Sequence, residues 1–262
     1  MTPVSSSAVD ATSYASLAMY PFEWLRPAWD RLWSAVHEQA PWTPASLRWD
    51  GDVHDHWVDP GCKVAQACGW PVVTTLRGDV RVVGAFALAL DDAEGHRYRS
   101  VVLANRPVAL GDVAVAGTTA AVNVPDSLSG WVSLLAATMG PGATWPGPVC
   151  WTGDHIESLR ALHDGRADIA SIDELSLAYV RRRDPDLVAG FHVIGRGPWV
   201  PSLPVVVRAG TPGRLVDELR HAIVEALSQP ALGATRDDLI LDGFVALDDS
   251  AYQPLLALAP AG

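Results

Sequence analysis

Residues 120 to 131 read AAVNVPDSLSGW, a short apolar run followed by a turn rich in small polar side chains. The run predicts a strand, and the residues after it predict a helix that starts near Ser127. A helix start offers unpaired N–H groups and a partial positive charge, which suit an oxyanion. The hydroxyls of Ser127 and Ser129 add donors, and Gly130 lets the backbone approach closely. Capping alone explains the same residues, because Ser and Asp are preferred at helix starts.

Two further polar side chains lie at predicted helix starts in the same part of the chain. His155 falls in the first turn of a helix predicted over 154–163, where either ring nitrogen can donate to an anion. A solvent-facing position beside the cap is the alternative for this histidine. Asp173 follows the apolar run ADIASI and precedes a helix predicted from Glu174, so it is also a candidate N-cap.

The stretch WDGDVHDHWVD, residues 49–59, concentrates carboxylates and imidazoles in a predicted loop. His54 and His56 would share a face if the segment were extended, and four aspartates surround them, so a divalent cation is conceivable there. The spacing matches no known metal motif, so we favour a solvated polar loop and predict no metal site. If the loop borders a binding cleft, these groups can contact a ligand or exchange protons with it.

The composition argues against several classes of protein. The chain has 262 residues, of which 49% are hydrophobic and 19% charged, so it can bury a large core or two smaller ones. The formal net charge is -11, and Lys63 is the only lysine. Nucleic acid is therefore not an expected partner, because its binding depends on clustered Lys and Arg.

Cysteine usage and hydropathy bear on the compartment. The three cysteines form no CxxC pair, which indicates reduced, buried thiols. No run approaches the roughly 18 apolar residues that a membrane span needs. The first residues show no basic segment followed by an apolar one, so we predict no secretory signal. As given, the chain is expected in the cytoplasm, and in the periplasm or another extracytoplasmic space if a leader has been removed.

Short apolar runs alternate with helical periodicity along most of the chain, which is typical of an α/β protein. The predicted strands are 13–20, 46–49, 80–88, 97–104, 119–123, 148–152, 167–172, 191–195 and 205–208. The predicted helices start at 21 and 174 or span 63–68, 127–139, 154–163 and 212–228. The stretch DGDVHDHWVDPG is predicted as a loop.

This order predicts two lobes, each a mainly parallel sheet flanked by helices. Residues 1–104 and 205–262 would form lobe 1, and residues 105–204 would form an inserted lobe 2. The chain would cross between the lobes near 103–107 and 196–207. Such an arrangement encloses a cleft, and ligands favour lobe interfaces and the carboxyl ends of parallel strands.

The chain has eleven tryptophans, which is many for its length, and some aromatic residues lie where they are candidates for the cleft wall. Tyr20 ends the first predicted strand, where it can form an aromatic floor for a ligand or belong to the core of the lobe. Trp29 and Trp33 lie on the core face of their predicted helix and are expected to pack there. Three others flank predicted site segments and are candidates for the cleft wall: Trp57, Trp131 and Trp151.

Three segments, AVNVPDSLSGW, WTGDHIESLRALHDGRADIASIDELSLAYV and PSLPVVVR, together resemble the periplasmic solute-binding proteins of the phosphate/phosphonate uptake type. In that family a strand leads into a Ser-x-Ser-Gly helix start. A Gly-x-His then opens the next helix, and a G-x-A-D-x-A-x-x-D segment crosses the cleft. The resemblance is specific over 118–208 and looser over the first hundred residues. It implies the two-lobed type II periplasmic-binding fold.

The resemblance also implies a site and a function. The segment Ser127, Leu128, Ser129 and Gly130 would hold the anionic head of a ligand, although the family commonly has a second hydroxyl where Leu128 stands. His155 would face the anion, and Asp173 would meet a ligand amine. The implied protein closes by a hinge on a small anionic, phosphate- or phosphonate-like organic ligand, zwitterions included. An ABC permease would be its partner, and no cofactor and no catalytic residue are expected.

Two alternatives stay open from the sequence. A cytoplasmic enzyme on the same fold, such as a chorismate-dehydratase-like lyase, would use a comparable cleft for chemistry. An intracellular sensor would close on a metabolite and signal to a partner. A serine hydrolase is disfavoured, because DSLSG lacks the first glycine of the G-x-S-x-G elbow.

Overall fold

The computed structural model describes residues 13–115 and 117–260. The expectation of no secretory signal concerns the first twenty residues, of which 1–12 lie outside the described part. The strands are β1 (Tyr14–Ser16), β2 (Cys62–Gln66), β3 (Val80–Leu88), β4 (Arg97–Tyr98), β5 (Val101–Ala104), β6 (Ala120–Val122), β7 (Val149–Trp151), β8 (Ile169–Ile172), β9 (His192–Arg196), β10 (Val200–Pro201), β11 (Pro204–Arg208) and β12 (Leu241–Ala246).

The α-helices are α1 (Arg26–Gln39), α2 (Val53–Val58), α3 (Gly69–Val73), α4 (Ser133–Thr138), α5 (His155–His163), α6 (Glu174–Arg183), α7 (Gly213–Ser228) and α8 (Gly233–Leu239). A single π-helical turn, Leu128–Val132, leads directly into α4. Short 3₁₀ segments are Glu23–Leu25, Leu110–Asp112, Pro185–Val188, Pro230–Leu232, Asp249–Ala251 and Gln253–Leu258.

Two five-stranded sheets form the framework. The first has the order β1-β2-β11-β3-β12, and the second has the order β7-β6-β8-β5-β9. We call the parts of the chain built around them the first and the second lobe. Between β3 and β5 the chain passes through β4, and between β9 and β11 it returns through β10. These two short strands pair with each other in an antiparallel ribbon.

Helices flank both sheets, as predicted, but the strands are not mainly parallel. The pairs β1/β2, β6/β7 and β6/β8 are parallel, whereas β5 is antiparallel to both of its neighbours and β11 to both of its own. Both β5 and β11 enter a sheet directly from the other lobe, without the crossover helix that makes consecutive strands parallel. The direction of these strands therefore depends on the path between the lobes.

Several predicted elements differ in the structure. Residues 63–68, predicted as a helix, belong mostly to β2, whose Val64, Ala65 and Gln66 are all buried. Short apolar runs fit a buried strand as well as a helix, and pairing with β1 and β11 decides between them. The predicted strand at 46–49 makes only a bridge from Leu47 to Ala15. The predicted loop at 50–61 contains α2, which the side chain of Asp52 caps through the His54 N–H.

The core is continuous through the first lobe and the lobe interface. Helix α1 contributes Trp29, Leu32, Trp33 and Val36, so the expected packing of these two tryptophans is confirmed. The Trp33 indole N–H donates to Pro44 O at 2.8 Å. A second cluster, which includes Leu134 of α4, covers the other face of the second sheet. No helix of the described residues has both the length and the apolar composition needed to cross a membrane.

Candidate functional site

A cavity of about 280 Å³ lies between the two lobes. Its first-lobe wall comes from segments 18–22 and 49–57 and from Cys68, and its second-lobe wall comes from segments 123–129 and 153–156. The second-lobe segments follow β6 and β7, which are parallel neighbours, and Asp173 follows the parallel strand β8. Carboxyl ends of parallel strands share one edge of a sheet, which is why these segments, distant in sequence, meet at one cavity.

Ser127 and Ser129 both line this cavity. Ser127 is the cap of the π-helical turn, and its Oγ accepts the Gly130 N–H at 2.9 Å. Ser129 Oγ lies 2.8 Å from His155 Nε2, at the start of α5. The expected capping by Ser127 is therefore present, and the Ser129 hydroxyl is joined to an imidazole that lines the same cavity.

The other two residues of the predicted anion segment, Leu128 and Gly130, do not line the cavity. The Leu128 N–H donates to Cys68 Sγ at 3.4 Å, and the Gly130 N–H is held by Ser127. Gly130 is required for packing, because a Cβ there would overlap Asn123 Oδ1 and lie 3.0 Å from Ser127 Oγ. Of the amides predicted to hold an anion, those of Leu128 and Gly130 thus have partners within the protein.

His155 reaches the cavity from the first turn of α5, whose N-cap Asp154 accepts the Glu157 N–H at 2.7 Å. Burial lowers the pKa of His155 and outweighs the nearby carboxylates of Asp173 and Asp154, so its imidazole is neutral near pH 7. Its Nδ1 is buried without a hydrogen-bond partner. A neutral ring carries one N–H, so Nε2 either donates to Ser129 Oγ or accepts its proton.

Asp173 is buried, with 2% of its surface exposed. Its Oδ1 accepts the Ser176 N–H at 2.8 Å and so caps α6, as the sequence predicted. Its Oδ2 accepts the Tyr98 hydroxyl at 2.6 Å and the Tyr20 hydroxyl at 3.4 Å. Burial raises the pKa of both phenols well above the usual value, so they remain donors. The contact of Asp173 with a ligand amine stays a prediction.

Of the aromatic candidates, Tyr20 and Trp57 line the cavity. The Trp57 indole N–H donates to Gln66 O at 3.0 Å, which fixes the ring against the first sheet. Trp131 and Trp151 lie elsewhere, with their rings 5.6 Å apart, and Trp151 is 52% exposed. Neither residue lines the cavity, so the prediction that Trp131 and Trp151 are candidates for the cleft wall is wrong.

The structure adds residues that the predicted site did not include. His54 and Asp126 face the cavity from opposite lobes, and His54 Nε2 lies 3.2 Å from Asp126 Oδ2. Asn123 also lines it, together with apolar side chains such as Phe22 and Trp49. For His54 the signal in the sequence was its Asp/His-rich stretch, whose groups were expected to contact a ligand if the stretch borders the cleft, as it does.

The Asp/His-rich stretch directs its two histidines to different surroundings. Within residues 13–115 and 117–260, no three His, Cys, Asp or Glu side chains are grouped as metal ligands. His56 is turned toward Ser16 Oγ and Asp50 O, both at 2.8 Å, whereas His54 points to the cavity. The free thiols of Cys62 and Cys68 are buried, as predicted, and Cys150 is half-buried. Burial raises the pKa of Cys68 to about 11.

Solved structures establish the fold. A binding protein component of an ABC phosphonate transporter from Pseudomonas aeruginosa is 17% identical, covers 94% of this chain and 84% of its own, and has a TM-score of 0.71. PhnD1 from Prochlorococcus marinus, in complex with methylphosphonate, is 10% identical, with 94% and 96% covered and a TM-score of 0.71. A Xanthomonas citri protein bound to ATP is 17% identical, with 94% of both chains covered and a TM-score of 0.66. The chain therefore has the predicted type II periplasmic-binding fold.

No curated protein matches the chain. The family model described as ABC transporter, phosphonate, periplasmic substrate-binding protein matches residues 64–252. The predicted resemblance is thereby confirmed, and its match extends well before the segment in which the motifs are specific. Since these residues are more than half of the sequence, the chain belongs to the family of periplasmic substrate-binding proteins of phosphonate ABC transporters.

Proposed function

We propose that this protein is a receptor that closes on a small oxyanion of the phosphonate or phosphate type and presents it to an ABC permease. The observation that carries the proposal is the pair of Ser129 Oγ and His155 Nε2, 2.8 Å apart on the cavity wall. Phosphonate oxygens accept hydrogen bonds from such hydroxyl and imidazole donors. Family membership and the methylphosphonate bound to PhnD1 support this ligand class.

The donor set also supports binding rather than chemistry. The hydroxyl of Ser129 contacts Nε2 of the His155 imidazole. The other ring nitrogen, Nδ1, has no hydrogen bond to a carboxylate that would orient the ring. A nucleophile and its base are ordinarily completed by such an orienting group. Family membership also favours a transport receptor over the two alternatives, a lyase and an intracellular sensor, because the family model describes substrate-binding proteins of ABC transporters.

We place the hinge at the β4/β10 ribbon, which both connections between the sheets include. The proposed lobe boundary therefore moves from residue 104 to a point before β5, because β5 already pairs in the second sheet. Beside the ribbon, Arg196 of β9 pairs with Asp92 of the first lobe and with Glu174 of α6, which joins the lobes near the hinge. Opening about this ribbon would expose the cavity to solvent.

Substitution of Ser129 tests the proposal. We expect Ser129→Ala to weaken methylphosphonate binding by about tenfold to a hundredfold, because hydrogen bonds to charged groups contribute about 1.5–3 kcal/mol. Isothermal titration calorimetry would measure the affinity of both proteins. The control is Ser34→Ala on the exposed face of α1, where the hydroxyl bonds only to Asp30 O. Equal affinity of Ser129→Ala and the unmodified protein, or no binding of any phosphonate, phosphate or small carboxylate, would refute the proposal.

A further inference from the structure

The stretch WDGDVHDHWVD forms part of the cavity wall, but its two histidines have no role in the proposed function so far. Helix α2 is anchored to the first lobe by His56, whose two ring nitrogens contact Ser16 Oγ and Asp50 O at 2.8 Å. The His56 ring also packs edge-on against Tyr14. With both nitrogens engaged and the ring buried, His56 fixes the orientation of α2 and hence of the histidine two residues earlier.

His54 is directed across the cavity by its own helix cap. Asp52 Oδ1 accepts the His54 backbone N–H at 2.8 Å and contacts His54 Nδ1 at 2.9 Å. The ring lies 4.7 Å from the Trp57 ring, which supports it from the side. This arrangement leaves Nε2 facing the second lobe, where it meets Asp126 Oδ2 at 3.2 Å. The contact between His54 and Asp126 thus joins the first lobe to the second lobe at the cavity wall.

The charges around the cavity make this imidazole unusual. Among the described wall residues there is no Lys and no Arg, whereas Asp126, Asp154 and Asp173 contribute carboxylates. His155 is neutral for the reason given above. Burial alone would lower the pKa of His54, but hydrogen bonds and charges from Asp52 and Asp126 outweigh it and raise the pKa. His54 is therefore the wall residue best suited to carry a positive charge.

We propose that His54 is a specificity-determining residue whose Nε2–H binds the anionic group of the ligand, and that Asp126 occupies this donor until the ligand displaces it. This inference rests on the proposed function. Asp126 immediately precedes Ser127 in the sequence. Its carboxylate therefore lies on the same side of the cavity as the hydroxyls of Ser127 and Ser129. A phosphonate that accepts a hydrogen bond from Ser129 of the second lobe would also accept one from the His54 imidazolium of the first lobe. The bound ligand would thereby hold the two lobes in the closed arrangement.

The proposal predicts that affinity depends on pH. The groups facing the ring are Asp52 from its own helix cap and Asp126 from the second lobe, while His56 is directed away. A doubly charged phosphonate in place of one carboxylate raises the pKa of His54 further in the complex. Binding then takes up a proton, so the contribution of His54 to the affinity is complete below the pKa of His54 in the free protein and is lost as the pH rises through its pKa in the complex.

The experiment is calorimetric titration with methylphosphonate and with inorganic phosphate, from about pH 5 to about pH 9. We expect His54→Gln to bind at least about tenfold more weakly than the unmodified protein at the acid end. The ratio of the two affinities should decline as the pH rises. Because both proteins meet the same titrating ligand, this ratio isolates His54. His221→Gln, on an exposed part of α7, is the matched control and should behave like the unmodified protein.

A second variant tests the exchange. Asp126→Asn should bind several-fold more tightly, because it removes the internal competitor and its charge. Weaker binding by Asp126→Asn would overturn the exchange, and an unchanged pH profile in His54→Gln would overturn the role of His54. If the unmodified protein binds neither probe nor any other anion, the proposed function fails and takes this inference with it. If Ser129→Ala weakens binding but His54→Gln does not, the inference alone fails.

Discussion

Asp173 combines two structural roles at one carboxylate. One oxygen caps α6, and the other accepts hydrogen bonds from the hydroxyls of Tyr20 and of Tyr98 in the β4/β10 ribbon. A buried carboxylate is stable only when hydrogen bonds replace its lost hydration. These contacts tie the cavity wall to the strand that joins the lobes. A ligand amine would therefore have to share an oxygen that two phenols already contact.

At the residue scale, Tyr98→Phe should destabilise the protein by about 2 kcal/mol, because it removes a hydrogen bond to a charged group. Tyr252→Phe is the matched control, since this phenol is equally buried but donates to a neutral acceptor, Ser202 O, at 2.7 Å. We expect the control to lose only about 1 kcal/mol. Denaturant unfolding of both variants measures the difference. Equal losses would show that the charge of Asp173 does not strengthen the contact.

The π-helical turn that begins at Leu128 is the element on which the candidate site depends. It presents Ser129 to His155 and turns Leu128 inward against Cys68. Ser171 Oγ of β8 also donates to Ser129 O at 2.6 Å, which ties the turn to the sheet beneath it. The turn thus holds one hydroxyl at the cavity while its neighbours serve packing.

At the element scale, Gly130→Ala should destabilise the protein by about 1–3 kcal/mol, because the new methyl group would overlap Asn123 and crowd Ser127. Displacement of Ser127 and Asn123 should also weaken anion binding. Gly213→Ala, at the start of α7, has open space around its Cβ and should be neutral or slightly stabilising. Thermal unfolding and calorimetry compare the two. A Gly130→Ala protein as stable as the Gly213→Ala protein would contradict the close packing.

In the part of the chain that the structure describes, two five-stranded sheets are joined by one ribbon, and the proposed ligand would touch both lobes. A ligand that binds only the folded protein stabilises it by RT ln(1 + [L]/Kd), about 2.7 kcal/mol at a hundred times Kd. For a chain of this size each kcal/mol raises Tm by about 2–4 °C. The ligand favours the closed over the open form only by the difference between its binding free energies for the two forms.

At this scale, methylphosphonate at a hundred times its Kd should raise Tm by about 5–10 °C. Differential scanning calorimetry with and without the ligand would measure the shift. At the same ligand concentration Ser129→Ala should show a smaller increase, and Ser34→Ala should show the full one. A shift of equal size in all three proteins would mean that the ligand acts away from the cavity.

Much of the site could be read from local sequence. Ser127, Ser129, His155 and Asp173 stand at starts of helical segments, where capping preferences act over a few residues, and all four line the cavity. The α/β class follows from periodicity, which is equally local. The motif resemblance led to the correct family because it combines several such starts at fixed spacing.

Tertiary contacts decided the rest. β2 is a strand because β1 and β11 pair with it, and β5 and β11 are antiparallel because they cross between the lobes. The meeting of His54 and Asp126 joins residues 72 apart in sequence. Local preferences of either residue carry no information about such a contact, because it depends on how the parts of the chain around the two sheets face each other. The helix starts were thus determined within a few residues of sequence, whereas their common cavity was determined by the packing of the two sheets.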